Sequence, residues 1–68
     1  MSRKDYELIA HRIRMGRNDV LIIEPAGDYR HGLLVAYKRM ACDLADDLGR
    51  ENPRFDRKKF LAACGLGD

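Results

Sequence analysis

The chain is short enough that one hydrophobic core is all it can build. It has 68 residues, and a domain of that size buries a smaller share of its surface than a larger one does. The composition is still that of a folded protein, because 46% of the residues are hydrophobic, 35% are charged and only two are prolines. Disordered chains are less apolar than this. We therefore expect residues 1–68 to form a single small domain.

A first helix is predicted from about Arg3 to Met15. Ser2 precedes it, and the spacing from this serine to an acidic residue three positions later is that of a capping box. Gly16 should end the helix, since glycine readily adopts the left-handed conformation of a helix C-terminus. The expected core face consists of four apolar residues on one arc: Tyr6, Ile9, Ala10 and Ile13.

A short extended or strand segment is predicted around residues 20–23. Val20–Ile23 are β-prone and lie between turn-forming residues. A lone strand leaves backbone groups that need a partner. The segment could form a hairpin with residues 33–37, pair with a second copy of the chain, or pack as an apolar connector. We favour the connector, because the residues from Leu33 onward have helical spacing.

A second helix is predicted to begin near Tyr29–His31, with Asp28 as its N-cap, and to end at Leu48 before Gly49. Its expected core stripe has helical spacing and consists of Leu33, Tyr37, Met40, Ala41, Leu44 and Leu48. Val35 and Cys42 should lie on the opposite, polar side.

The third predicted helix, Arg57–Cys64, has the best-defined ends. Asp56 is its expected N-cap, and Phe55 and Phe60 have the spacing of a hydrophobic staple. Gly65 followed by an apolar residue predicts a Schellman end. These segments together predict a mainly α, small three-helix domain with one short extended segment around residues 20–23.

Membrane and export signals are not found. No apolar run approaches the roughly 18 residues that a transmembrane helix needs. The N-terminal residues form a mixed-charge segment without the apolar region of a signal peptide. We expect a cytoplasmic protein.

No catalytic or metal-binding pattern stands out. The glycines form no phosphate-binding loop, and Ser2 is the only serine, which excludes a Gly-x-Ser-x-Gly elbow. The two cysteines and two histidines do not have the spacing of a zinc site. Three acids of the second helix loosely resemble a Mg²⁺ arrangement, although a solvated face balanced by nearby bases is more usual. We therefore expect no enzyme activity, no cofactor and no metal. The residues that could have supplied metal ligands are His11, His31, Cys42, Cys64, Asp43, Asp46 and Asp47.

Charge is distributed in bands along the chain, although the net charge is only +2. Residues 1–39 carry eight bases against five acids, and residues 40–52 carry one base against four acids. Residues 53–68 again have an excess of bases. Such banding concerns the choice of partner more than the fold.

Two sets of basic residues are candidate partner-binding surfaces. Arg54, Arg57, Lys58 and Lys59 surround the start of the third helix, where the helix dipole disfavours cations. Residues that break such a local preference are often there for function. Four cations and the free N–H groups of this helix end would suit a phosphate or a carboxylate cluster. The alternative is that Asp56 offsets the cost and the cations only keep the surface hydrated.

The second set is a stripe on the first helix, interrupted by Glu7, that could follow a phosphate backbone. Few aromatic residues are free to stack on bases, and the third helix has no Asn or Gln to read adenine, so sequence-specific DNA binding is disfavoured. The stripe consists of Arg3, Lys4, His11 and Arg14.

Residues 52–65 resemble the C-terminus of many small tailed-phage and prophage proteins, which ends as Asn-Pro-x-Phe-Asp-x-x-x-Phe-Leu-x-Ala-Cys-Gly. Residues 3–10 and 44–48 are also similar to theirs, so the resemblance covers about half of the chain. Residues 17–30 depart from that pattern.

The resemblance implies a phage origin and a host bacterial cell. Small helix-rich phage proteins without catalytic residues include anti-CRISPR proteins, so the expected function is inhibition of a type I, conceivably I-C, Cascade-type surveillance complex by blocking its engagement of target DNA. The alternatives are a small phage DNA-binding or regulatory accessory protein, and a structural module that dimerises through residues 20–23.

Overall fold

The computed structural model describes residues 2–67 and places them in three helices. Helix α1 spans Arg3–Ile23, α2 spans Asp28–Glu51 and α3 spans Arg57–Ala63. The two long helices form an antiparallel hairpin, and α3 packs against both. The contact from Tyr6 to Asn52 shows that α3 lies at the end of the hairpin where α1 begins and α2 ends. The mainly α, three-helix domain predicted from the sequence is confirmed.

The predicted helix end at Gly16 and the extended segment at residues 20–23 are wrong. Helix α1 continues through both and ends at Ile23, where the N–H of Glu24 donates to the carbonyl of Val20 over 3.0 Å. A Cβ atom on Gly16 would lie only 2.5 Å from the hydroxyl oxygen of Tyr37. The missing side chain of Gly16 therefore leaves room on α1 for the end of the Tyr37 ring, which is a different use of a glycine.

Helix α2 is longer than predicted at both ends. Its N-cap is Gly27, not Asp28, and it ends at Glu51, so it passes through Gly49. The first helical residue, Asp28, still places a negative charge in the first turn, where the helix dipole favours it.

The predicted core stripe of α2 is wrong at one position. Met40 is 55% exposed, whereas Ala41 and Ala45 are completely buried. Helix α2 contacts α1 on one side and α3 on the other, so its buried face is centred on the small residues between them. The predicted stripe included Ala41 but not Ala45, so it was shifted away from the small residues that the structure buries.

Helix α3 confirms the predicted caps. The carboxylate of Asp56 accepts a hydrogen bond from the Lys59 N–H at 3.0 Å, and the rings of Phe55 and Phe60 are 5.4 Å apart. The helix ends one residue earlier than predicted, at Ala63. Gly65 has φ +84°, and the N–H groups of residues 65 and 66 bond back to Ala62 and Leu61, which is the predicted Schellman end.

The core occupies only the half of the hairpin that α3 covers. Its six buried residues are Ala10, Ile13, Ala41, Ala45, Phe60 and Cys64. Within residues 2–67, no residue from 14 to 40 is buried. Among the described residues 2–67, no helix is long and apolar enough to cross a membrane.

The buried thiol of Cys64 predicts a loss of stability at alkaline pH. Burial, followed by the nearby Cys42, raises the pKa of Cys64 above its ordinary value of 9.0. Above about pH 9 the unfolded chain therefore loses a proton that the folded chain keeps, and the free energy of unfolding falls as the pH rises. Below that pH the contribution is complete and constant. We expect the urea midpoint to fall more steeply from about pH 8 to about pH 10 in the parent than in Cys64→Ala, and equal slopes would contradict this assignment.

Candidate binding surface

A cleft of about 470 Å³ opens between the first turns of α1, the connection before α3, and α3 itself. Its floor is aromatic and apolar. The rings of Tyr6 and Phe55 meet edge to face with centroids 4.9 Å apart, and Phe60 continues the aromatic row. The buried Ala10 belongs to this floor, and the exposed Ala63 also lines the cleft. An apolar side chain of a partner could be desolvated on such a surface.

Three cations converge on the rim of this cleft: Arg3, Arg54 and Lys59. Two acids, Glu7 and Asp56, lie on the same rim. The guanidinium of Arg3 donates to Glu7 over 3.1 Å, but both side chains are largely exposed, so the pair is readily exchanged for another partner. The rim thus combines one residue of the predicted stripe on α1 with two residues from the predicted cationic start of α3.

Asn52 positions part of this rim, although its role was not apparent from the sequence. Its side-chain amide donates to the Tyr6 hydroxyl over 3.3 Å, and its carbonyl oxygen accepts from the Arg54 N–H at 3.1 Å. The second contact is a local turn of the kind that asparagine favours, so the Asn-Pro-Arg sequence carried a signal for it. The contact with Tyr6 joins residues that are 46 positions apart, so no pattern of neighbouring residues could have predicted it.

The other two cations at the start of α3 lie apart from the cleft. Arg57 donates to the Asp46 carboxylate on α2 over 2.8 Å, and this hydrogen bond and the charge of Asp46 raise the pKa of Arg57. Lys58 is exposed. Because Asp56 also occupies the Lys59 N–H, the expected anion site at this helix end has lost one backbone donor and one guanidinium.

The basic stripe on α1 is divided by the packing. Arg14 lies beside the end of α3, where its Cγ atom would be 3.6 Å from a Cβ on Gly65. Lys4 and His11 are exposed, and neither lines the cleft. Of the eight predicted partner-binding residues, the structure brings three together.

Within residues 2–67, no group of three or more His, Cys, Asp or Glu side chains is arranged to hold a metal ion. The capping box at the start of α1 perturbs a carboxyl group that does not line the cleft: the Ser2 N–H donates to Asp5 at 2.8 Å and lowers the pKa of that side chain. The chain matches no protein-family model, no curated protein and no solved structure.

Proposed function

We propose that the protein acts by binding another protein, and that the cleft with Arg3, Arg54 and Lys59 on its rim contacts the partner. The observation that carries this proposal is the combination of an aromatic floor with a rim that carries three cations against two acids. Protein interfaces place apolar and aromatic groups at their centre and charged groups around them. An apolar anchor flanked by acids on the partner would fit this cleft, because the anchor is desolvated while the acids pair with the rim.

The specific function that we propose is inhibition of host defence by a phage-encoded anti-CRISPR protein. The partner would be a type I Cascade-type complex, and the bound protein would block engagement of target DNA by steric and electrostatic occlusion. The resemblance of residues 52–65 to small phage proteins supports the phage origin. The same residues build one wall of the cleft, which makes that wall the favoured place for the contact.

A pull-down from the host with the tagged protein tests the proposal. Cascade subunits should be recovered by the parent and lost with an Arg54→Glu/Lys59→Glu variant, because charge reversal makes the rim repel acids. The matched control is Lys38→Glu/Lys58→Glu, which makes the same change in net charge at two exposed positions outside the cleft, one on α2 and one on α3. This control should bind as the parent does.

Other outcomes would favour a different function. Recovery of no Cascade subunit, or equal loss with both double variants, would contradict the proposed inhibitor or its site. Binding of the parent to DNA of any sequence, with a steep dependence on salt, would instead support the DNA-binding accessory protein. Gel-shift titrations at two salt concentrations decide between these two classes.

A further inference from the structure

Most of the large apolar side chains that remain exposed lie on one face of the α1–α2 hairpin. On α1 they recur at every seventh residue: Leu8, Met15 and Ile22 are 60%, 45% and 80% exposed. At 100° per residue, Met15 lies about 140° around α1 from Ala10, which faces α3 across the cleft. This row, the α1 row, therefore faces away from α3.

Helix α2 contributes a second row, the α2 row, to the same face. Tyr29 and Met40 are 69% and 55% exposed. Met40 lies about 120° around α2 from Asp46, whose carboxylate binds α3 through Arg57. A shallow depression runs along this edge of α2, and its lining residues are Ala36, Arg39, Met40, Asp43, Leu44 and Asp47.

The two rows are matched in height along the hairpin. Gly16 of α1 lies against Tyr37 of α2. Because the two helices are antiparallel, each step forward along α1 from Gly16 corresponds to about one step backward along α2 from Tyr37. Leu8 is then roughly level with Leu44, and Met15 with Met40. Toward the far end of the hairpin, the α1 row ends at Ile22 and the α2 row at Tyr29.

The charges on this face are complementary in the same register. At the end where α1 begins, α1 carries the cations Lys4 and Arg12 beside the capping-box acid Asp5. Helix α2 carries the acids Asp43, Asp47 and Glu51, of which Asp47 is paired with Arg50 of the same helix. A second copy turned by 180° about an axis parallel to the helices would place its α2 over α1 of the first copy. Each set of cations would then face the partner's acids, while the α1 row would meet the partner's α2 row.

We propose that a second copy of this chain covers this face, in a two-fold dimer with α1 of each copy against α2 of the other. The molecule measures 39 by 18 Å along this side, and a standard stable interface buries roughly 800 Å² of accessible surface per partner, so the interface would have to take up nearly the whole side. The face lies opposite α3, so the cleft stays open in the dimer. The dimer does not depend on the proposed function, and each can fail without the other.

Sedimentation equilibrium at micromolar concentrations tests the dimer. The parent should sediment as a dimer. Met15→Glu/Met40→Glu should sediment as a monomer, because the new acids on the two rows would face each other across the interface without a compensating base. Both positions are exposed, so the variant should keep the helical circular dichroism of the parent. The control Val35→Glu changes a side chain that is 49% exposed but lies on the α3 side of α2, and it should remain dimeric.

A charge exchange tests the orientation. Lys4→Glu/Arg12→Glu and Asp43→Lys/Asp47→Lys should each weaken self-association by roughly tenfold or more, because like charges then face each other in both halves of the interface. An equimolar mixture of the two variants should dimerise again as a heterodimer. A monomeric parent would overturn the proposal, as would two charge variants that both dimerise like the parent or a mixture that stays monomeric.

Discussion

Phe60→Ala is expected to leave most of the protein unfolded in water at room temperature. Phe60 is 5% exposed, contacts the ring of Phe55, and is the one large side chain that fixes α3 to the hairpin within the buried core. Truncating a buried phenylalanine to alanine typically costs about 3–5 kcal/mol. A single core in a chain of this size rarely supplies more than about 3–5 kcal/mol, so little stability should remain. Far-ultraviolet circular dichroism during urea titration measures the loss.

The control for this variant is Val35→Ala. Val35 is half exposed on α2, beyond the part that α3 covers, and substitutions at such positions usually change the free energy of unfolding by no more than about 0.5 kcal/mol. An unfolding midpoint for Phe60→Ala close to that of Val35→Ala would show that α3 is not an integral part of the core.

Gly16→Ala is expected to gain none of the stability that alanine usually gives to a helix. The new Cβ would lie 2.5 Å from the Tyr37 hydroxyl oxygen and 2.9 Å from the ring carbon that bears it. Overpacking of this kind typically costs about 1–3 kcal/mol, which meets or exceeds the roughly 1 kcal/mol gained by removing a glycine from a helix. Gly32→Ala is the matched control, because nothing lies within 4 Å of its Cβ position. The control should be stabilised by about 0.5–1 kcal/mol.

The close approach to Tyr37 can be isolated in a Tyr37→Ala background. There the ring is gone, and Gly16→Ala should become stabilising, as Gly32→Ala is in the parent. Urea unfolding of the four proteins in this double-mutant cycle measures the coupling. If Gly16→Ala stabilises the parent as much as Gly32→Ala does, the contact between the two helices is looser than the structure has it.

The candidate surface was predicted only in part. Arg54 and Lys59 were expected to act together because they are close in sequence, and the structure keeps them together. Arg57 was expected to join them, but Asp46 on α2 binds it. Arg3 was assigned to a separate stripe and instead reaches the same cleft. Each departure depends on which helices are neighbours, and residue spacing within one helix does not contain that information.

The sequence by itself determined that the protein is mainly helical and how helix α3 begins and ends. Helix α3 is the clearest case: its N-cap Asp56, the staple of Phe55 and Phe60, and the end at Gly65 all involve residues within one or two helical turns, so their spacing was sufficient. Only the tertiary structure decided the role of Gly16, because Gly16 and Tyr37 are remote in sequence and the Tyr37 ring takes the place that a side chain at position 16 would fill. It likewise decided which cations share a surface, since the antiparallel hairpin and the packing of α3 join residues from opposite ends of the chain.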